Sequence, residues 1–252
     1  IDAALNQPYE IRFDSDGRLF IVEVGNHIVR CVDLDTGKIT TIVGTGTPGL
    51  FGDGAKAIDA QLNRPHSIEL DGKGGLYIAD IANHRIRYVD LTTGSIETFA
   101  GTGGQDPTPD GAPIDGTSLN GPRTLAHDGN GDLVLVLREG NAVYRIEMEA
   151  RIFTHLGGTG SSGYTGDGGA AVKADLSGPK GVAIGPCGDI YLADTESHTI
   201  RSIDRFGVIR TVAGDGMVHD GPDGDPITCG LARPHGVLVD ASGSIYIGDS
   251  EN

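Results

Sequence analysis

The amino-acid sequence predicts an all-β fold, a β-propeller of four-stranded antiparallel blades, and three observations carry that prediction. The chain repeats itself at intervals of 57, 57, 57 and 55 residues. Each repeat contains short runs of alternating apolar and polar residues, separated by tight Gly/Asp turns. No apolar period of 3.6 residues persists over three turns, so helices are not expected.

The repeat is marked by a Leu-x-x-Pro motif that occurs five times. Its prolines are Pro8, Pro65, Pro122, Pro179 and Pro234. We therefore predict a single domain over residues 1–252, with repeat units at about 5–61, 62–118, 119–175, 176–230 and a partial unit at 231–252. This amounts to four full blades plus a half blade.

The second repeat illustrates the four strands of one blade, which we call a to d. The predicted strands are Ser67–Asp71, Leu76–Asp80, Arg85–Asp90 and Ser95–Gly101. A long loop rich in Gly, Asp and Pro then leads to the next Leu-x-x-Pro. Radial repetition of such sheets is a known solution to the problem of unprotected sheet edges.

Composition limits the function classes. The chain has a formal net charge of −16 and contains 41 glycines among 252 residues. So acidic a chain is not expected to bind nucleic acid or an anionic membrane surface. No apolar run near 18 residues and no targeting segment is visible, so secreted, periplasmic and cytoplasmic locations all stay open. The three cysteines form no CxxC pair.

The segments YIADIANHRIRYVD (77–90) and YLADTESHTIRSID (191–204) resemble the NHL-repeat propellers, and the long inter-blade loops resemble those of bacterial members. The resemblance implies a propeller that commonly has six blades. If the chain is complete, its open blade edges would be covered by another copy, so we expect a homo-oligomer.

The residue after each repeat proline differs between copies. These residues are Tyr9, His66, Arg123, Lys180 and His235. Because strand a is innermost in a propeller, we expect all five at the mouth of the central channel. Two interpretations stay open: any polar residue suits a wet channel mouth, or these side chains form a functional ring.

The sequences RPHSIELD and RPHGVLVD place His66 and His235 in a context that resembles the zinc-binding histidines of peptidylglycine-amidating lyase. The resemblance implies that both are metal ligands and that the cofactor, if there is one, is a divalent metal, zinc or calcium. That enzyme uses three such histidines, whereas this chain has Tyr9, Arg123 and Lys180 at the other positions.

The same ring also supports chemistry without a metal. Arg123 and Lys180 are suited to stabilise an oxyanion or a phosphoryl or sulfuryl oxygen. His66 or His235 is suited to act as a general base, and Tyr9 to donate a proton or orient the substrate. Three residues at the corner after strand b, Arg138, Glu139 and Glu196, are predicted to face the same mouth.

Other polar residues of the corners are predicted to be structural. The carboxylates that end strand b are expected to accept backbone N–H bonds, and His27, His84 and His198 are interpreted as corner residues of the repeat. Asp128-Gly-Asn130-Gly-Asp132 has calcium-loop spacing but Leu133 where that loop needs Gly, so a bare turn is predicted.

We therefore predict a hydrolase or lyase that acts at the channel mouth on a small polar or ester-like substrate, such as a carboxyl, phospho- or sulfo-ester. The alternative is a non-catalytic propeller that serves as a protein- or glycan-binding scaffold.

Overall fold

The computed structural model describes residues 3–219, 221 and 224–251. It consists of short antiparallel strands joined by turns and loops. The strands are β1 (Pro8–Phe13), β2 (Arg18–Glu23), β3 (Ile28–Asp33), β4 (Lys38–Val43), β5 (Pro65–Leu70), β6 (Gly75–Asp80), β7 (Arg85–Asp90), β8 (Ser95–Ala100), β9 (Ala112–Pro113), β10 (Pro122–His127), β11 (Leu133–Leu137), β12 (Ala142–Glu147), β13 (Ile152–Gly157), β14 (Gly181–Ile184), β15 (Ile190–Asp194), β16 (Thr199–Ile203), β17 (Ile209–Ala213), β18 (Pro234–Val239) and β19 (Ile245–Asp249).

Helical structure among the described residues is limited to 3-10 turns of three residues. These turns are Ala57–Asp59, Ile81–Asn83, Ala171–Lys173, Thr195–Ser197 and Pro226–Thr228. The predicted absence of longer helices is confirmed for this part of the chain.

The strands pair in sequence order within each repeat, which confirms the predicted propeller blades. The first, second and fourth sheets run β1-β2-β3-β4, β5-β6-β7-β8 and β14-β15-β16-β17. The third runs β10-β11-β12-β13 and gains β9 from the preceding loop at its outer edge. β18 and β19 form the predicted half blade. The chain is thus an all-β propeller chain with four complete blades.

The chain separates into two compact units, and the division falls within β10. The first unit comprises residues 1–106 and 114–123. Its core is built from side chains of the first two blades, including Phe20, Val22, Ile68, Leu76 and Ile78. Strand alternation places these residues on the buried faces.

The second unit comprises residues 107–113 and 124–252. Its larger core cluster includes Val134, Val136, Leu176, Leu192 and Ile209. The repeat leucines are part of both cores, because Leu62 and Leu176 are fully buried. This burial explains why the Leu-x-x-Pro motif recurs.

A carboxylate at the end of strand b holds the backbone ahead of the repeat proline. Asp80 Oδ1 accepts the Asn63 N–H at 2.6 Å, and Asp194 Oδ1 accepts the Ser177 N–H at 2.6 Å. Glu23 and Asp249 make the corresponding bonds at 2.9 and 2.7 Å. The predicted structural role of these acids is confirmed.

The signature histidines join consecutive repeats. His27, His84 and His198 adopt left-handed φ angles of 52 to 57°. Their Nδ1 atoms accept the backbone N–H of the residue before the next repeat proline, at 2.9, 3.1 and 3.2 Å. Asn141 takes this place in the third repeat, where its Oδ1 accepts the Gly178 N–H at 2.8 Å. These histidines are corner residues, as predicted.

The second and the fourth blade each contain a buried arginine that binds an inter-blade loop. Arg87 Nη2 lies 2.5 Å from Asp53, and Arg201 Nη2 lies 2.6 Å from Asp167, so each arginine ties an inter-blade loop to its sheet. Both arginines are fully buried. In the third repeat, the buried residues Leu137 and Tyr144 replace the strand-b acid and the arginine together.

Candidate functional site

The start of strand a carries an irregularity that sets the direction of the candidate side chains. The pairing register shifts between Pro8 and Glu10, between Pro65 and Ser67, and between Pro234 and Gly236. Each shift leaves one residue outside the ladder, namely Tyr9, His66 or His235. A β-bulge of this kind re-aims a side chain and is common beside functional sites.

Three predicted site residues come together in the first unit, and we call them the tyrosine cluster: Tyr9, His66 and Arg123. The Arg123 Nη2 donates a hydrogen bond to the Tyr9 hydroxyl, and the guanidinium carbon lies 4.5 Å from the centre of the Tyr9 ring. The His66 ring meets the Tyr9 ring edge-on at 4.8 Å. His66 and Arg123 are each 6% exposed, so the cluster is largely desolvated.

The protonation pattern of His66 follows from its partner. Its Nδ1 lies 2.8 Å from the Arg64 carbonyl oxygen. Because a carbonyl oxygen only accepts, Nδ1 carries the proton and donates it. Nε2 is therefore the basic nitrogen of the neutral His66 ring.

The remaining predicted residues come together in the second unit, beside two residues that were not predicted, Arg233 and Glu251. We call this group the lysine cluster: Lys180, His235, Arg138, Glu139, Glu196, Arg233 and Glu251. Its centre is the contact between Lys180 Nζ and His235 Nε2 at 2.7 Å. Lys180 is 5% exposed and lies directly before β14, whereas His235 is the bulged residue of β18.

Gly181 allows these two strands to approach each other. A Cβ atom at this position would lie 2.6 Å from the His235 carbonyl oxygen and 3.2 Å from the Gly236 Cα. Both of those are backbone atoms that a side chain cannot push aside cheaply. A glycine after Lys180 is therefore needed to bring Lys180 within hydrogen-bond distance of His235.

Three cationic side chains lie close to one carboxylate oxygen of Glu196. Its Oε1 lies 2.6 Å from Arg233 Nη2, 3.6 Å from Arg138 Nη2 and 3.8 Å from Lys180 Nζ. Partial burial alone would raise the pKa of Glu196, but the Arg233 hydrogen bond and the three positive charges outweigh it and lower the pKa. Glu196 is thus ionised at neutral pH.

Two further carboxylates complete the lysine cluster. Glu139 Oε1 lies 2.5 Å from Arg138 Nη1, and Glu251 Oε1 lies 2.7 Å from Arg233 Nη1. Arg138, Glu139 and Glu196 were predicted from the sequence, whereas Arg233 was not. A comparison of the residues that precede the repeat prolines would have shown long cations at Arg64 and Arg233 and glycines at two other repeats.

The fit of a metal can be tested on these contacts. No group of three or more His, Cys, Asp or Glu side chains within the described residues is arranged to hold a metal ion. The His235 Nε2 faces the Lys180 side chain, and a protonated Lys180 would repel a divalent cation there. The predicted metal at His66 and His235 therefore stays a prediction, and no reaction step below depends on it.

The Asp128 loop is a turn. Its Oδ1 accepts the N–H groups of Asn130 and Asp132 at 2.7 and 3.1 Å, and its Oδ2 lies 3.5 Å from Arg145 Nε. The side-chain oxygens of Asp128 are thus engaged within the turn, as predicted. Across the described residues, no helix is long and apolar enough to cross a membrane.

Comparisons with known proteins support the repeat family. A family model described as the teneurin NHL domain matches residues 158–229. The chain is 29% identical to the Arabidopsis thaliana chloroplastic protein SUPPRESSOR OF QUENCHING 1, over 98% of this chain and 24% of that protein. It is 25% identical to NHL repeat-containing protein 2 of Gallus gallus, over 97% of this chain and 37% of that protein. The chain thus spans well under half the length of these relatives.

Solved structures share the fold. Virginiamycin B lyase from Staphylococcus aureus superposes with a TM-score of 0.60 at 16% identity, covering 97% of this chain and 64% of that one. An auxiliary nutrient binding protein from Bacteroides ovatus superposes with a TM-score of 0.68 at 15% identity, covering 98% and 57%. The family model and the sequence relatives, together with the repeat signature, support an NHL-repeat propeller family, and the solved structures show the β-propeller fold.

Proposed function

We propose that the chain is a hydrolase or lyase that acts on an ester-like group of a small polar substrate, with Lys180 and His235 as the reacting pair. The observation that carries this proposal is the 2.7 Å contact between Lys180 Nζ and His235 Nε2. A base in contact with a cation, both supplied by neighbouring strand starts, is an arrangement suited to proton transfer beside a developing negative charge.

In the proposed hydrolysis, the Lys180 ammonium turns from His235 Nε2 to the substrate carbonyl oxygen. Water attacks the carbonyl carbon while Nε2 of the neutral imidazole takes one water proton. Lys180 stabilises the oxyanion. Collapse then breaks the bond to the alkoxide, which takes the proton from the imidazolium and leaves as the alcohol. A lyase would use the same base to remove a proton from carbon and return it to the leaving group.

The tyrosine cluster is a second candidate group within the first unit. Its basic His66 Nε2 and its Arg123 guanidinium match the same chemistry, and the Tyr9 hydroxyl offers a proton donor. We therefore include a catalytic role for Tyr9, His66 and Arg123 in this proposal, with its own test variants.

A fold-level similarity supports the enzyme class, because virginiamycin B lyase is a lyase on the same kind of propeller. The alternative is a non-catalytic binding propeller. It is favoured by Met217 and Val218, which are more than 60% exposed side by side on one inter-blade loop, and by the similarity to a nutrient binding protein. Exposed apolar residues of this kind are typical of interaction surfaces.

The test is turnover of a panel of ester, lactone, phosphoester and sulfate-ester substrates. We expect His235→Ala and Lys180→Met each to lower kcat/KM by about 10²- to 10⁴-fold on the active substrate. Lys173→Met is the matched control because Lys173 is exposed on a 3-10 turn away from these contacts. His66→Ala and Arg123→Met measure the tyrosine cluster in the same assay.

Metal analysis of the purified protein accompanies the panel, since bound zinc or calcium would restore the metal-assisted prediction. Far-UV circular dichroism confirms that each variant is folded. If no substrate is turned over by the wild type, or if the Lys180 and His235 variants retain full turnover, the proposed reaction at this pair is wrong and the binding function is favoured.

A further inference from the structure

We propose that Glu196 occupies the place of a substrate carboxylate, so that the lysine cluster is a binding site for a monoanionic group that displaces Glu196. The site is assembled from three cations of different repeats, Arg138, Lys180 and Arg233, whose side chains meet at one oxygen atom. Such convergence of guanidinium and ammonium groups is the usual way in which proteins hold a carboxylate.

The charges of the lysine cluster support this inference. The three cations are matched by three carboxylates, those of Glu139, Glu196 and Glu251. Glu139 and Glu251 each lie against one arginine at the side of the cluster, whereas Glu196 bridges all three cations. Moving Glu196 out of the centre takes one negative charge away from the three cations. A ligand with a single negative charge replaces that charge, whereas a dianion brings one more.

The Glu196 side chain is held in a way that allows it to leave. Its backbone is fixed, because the Glu196 N–H donates to the Ser177 carbonyl at 3.0 Å. Its side chain is 34% exposed, so a path to solvent exists. The side chain fits where it is because residue 178 is glycine: a Cβ atom there would lie 2.8 Å from the Glu196 Cγ.

The substrate class follows from the positions of these groups. Lys180 contacts both His235 and Glu196, so an anion in the place of Glu196 lies next to the proposed base. This inference rests on the proposed function in placing the reacting bond at His235. It narrows the substrate to an ester or lactone that also carries a carboxylate.

The inference is tested by isothermal titration with propanoate as the monoanion, propanamide as its neutral analogue and inorganic phosphate as the more highly charged anion, at low ionic strength. Glu196→Gln keeps the shape of the side chain and removes its charge. Glu149→Gln is the control, because Glu149 is exposed in the third-blade turn and the change adds the same net charge. Gly178→Ala is a second variant that moves the Glu196 side chain without removing its charge.

We expect Glu196→Gln to lower the Kd for propanoate at least tenfold, because the carboxylate that competes with the anion for the three cations is removed. Gly178→Ala should change the Kd in the same direction by a smaller factor, and Glu149→Gln should not change it. Propanamide should not bind. A gain below tenfold for Glu196→Gln, or an equal gain for Glu149→Gln, overturns the inference.

This titration needs no turnover, so its result is independent of the proposed reaction. If propanoate binds as expected while no ester is hydrolysed, the anion site stands and the catalytic proposal fails. If esters are hydrolysed and Glu196→Gln leaves propanoate binding unchanged, the catalytic proposal stands and the displacement of Glu196 is refuted.

Discussion

The buried arginine of the second blade offers a sharp test of how these blades are stabilised. We expect Arg87→Tyr to lower the free energy of unfolding by about 2–4 kcal/mol at pH 7, and we expect this loss to grow with pH. Arg87 is fully buried, with Nη2 2.5 Å from Asp53 and Nη1 3.3 Å from the Gln61 carbonyl and 3.7 Å from Asp80.

The magnitude follows from Asp80. Burial raises the pKa of Asp80 to about 6, although Arg87 and the Asn63 and Asn83 hydrogen bonds oppose the shift. Without Arg87 the pKa rises further, and at pH 7 the carboxyl group takes up a proton instead of remaining charged. Because the carboxyl group is protonated and not left as a buried charge, the part of the stability loss that comes from Asp80 is about 1.4 kcal/mol for each pH unit above 6. The lost charged hydrogen bonds of Arg87 contribute about 1–3 kcal/mol more.

The assay is urea denaturation at pH 6, 7 and 8, followed by far-UV circular dichroism. The matched variant is Asp80→Leu combined with Arg87→Tyr, which copies the Leu137 and Tyr144 of the third repeat. Because it has no buried acid, this double variant should be more stable than Arg87→Tyr at pH 8 by about 1–3 kcal/mol. A loss for Arg87→Tyr that is the same at pH 6 and pH 8 refutes the reasoning.

Three further outcomes are expected. Burial raises the pKa of Asp80 in the folded state from its ordinary value of 3.8 to about 6, so the folded state binds more protons than the unfolded state between these pH values. Lowering the pH from 7 to 4 should therefore stabilise the wild type relative to the Asp80→Leu, Arg87→Tyr double variant in calorimetry. His84→Ala should lower the free energy of unfolding by about 1–3 kcal/mol, whereas His84→Asn should be nearly neutral because Asn141 plays that role in the third repeat. Cys187 is exposed and should react first with an aromatic disulfide, whereas Cys31, buried and with a raised pKa, should react on unfolding, as read by mass spectrometry.

The fold was predictable because each blade repeats the same short-range pattern of alternating strands and Gly-rich turns. The alternation in Arg85–Asp90 gave β7 with its observed bounds, and Gly-rich turns separated the strands. What the pattern did not show is the bulge at Tyr9, His66 and His235. A bulge depends on how the ladder of the neighbouring strand is registered, and one-strand periodicity carries no information about that.

The site was predictable in part. Lys180 and His235 were chosen because they follow a repeat proline, and the structure places them in contact. The role of Arg233 was not foreseen, since its side chain reaches Glu196 from another repeat. Contacts between repeats depend on side-chain direction and on the spacing of sheets, and the sequence of a single strand determines neither of them.

The corner position and the position after the repeat proline differ in what they demand of a side chain, and this difference explains where the repeat can carry function. At the left-handed corner, His84 binds a backbone N–H group, so a replacement must offer an acceptor at the same place. In the third repeat Asn141 meets that demand. At the position after the repeat proline, the Lys180 Nζ contacts the His235 ring, and the Tyr9 hydroxyl accepts from the Arg123 side chain. The repeat architecture therefore fixes this corner, whereas the position after the repeat proline differs in chemistry from blade to blade.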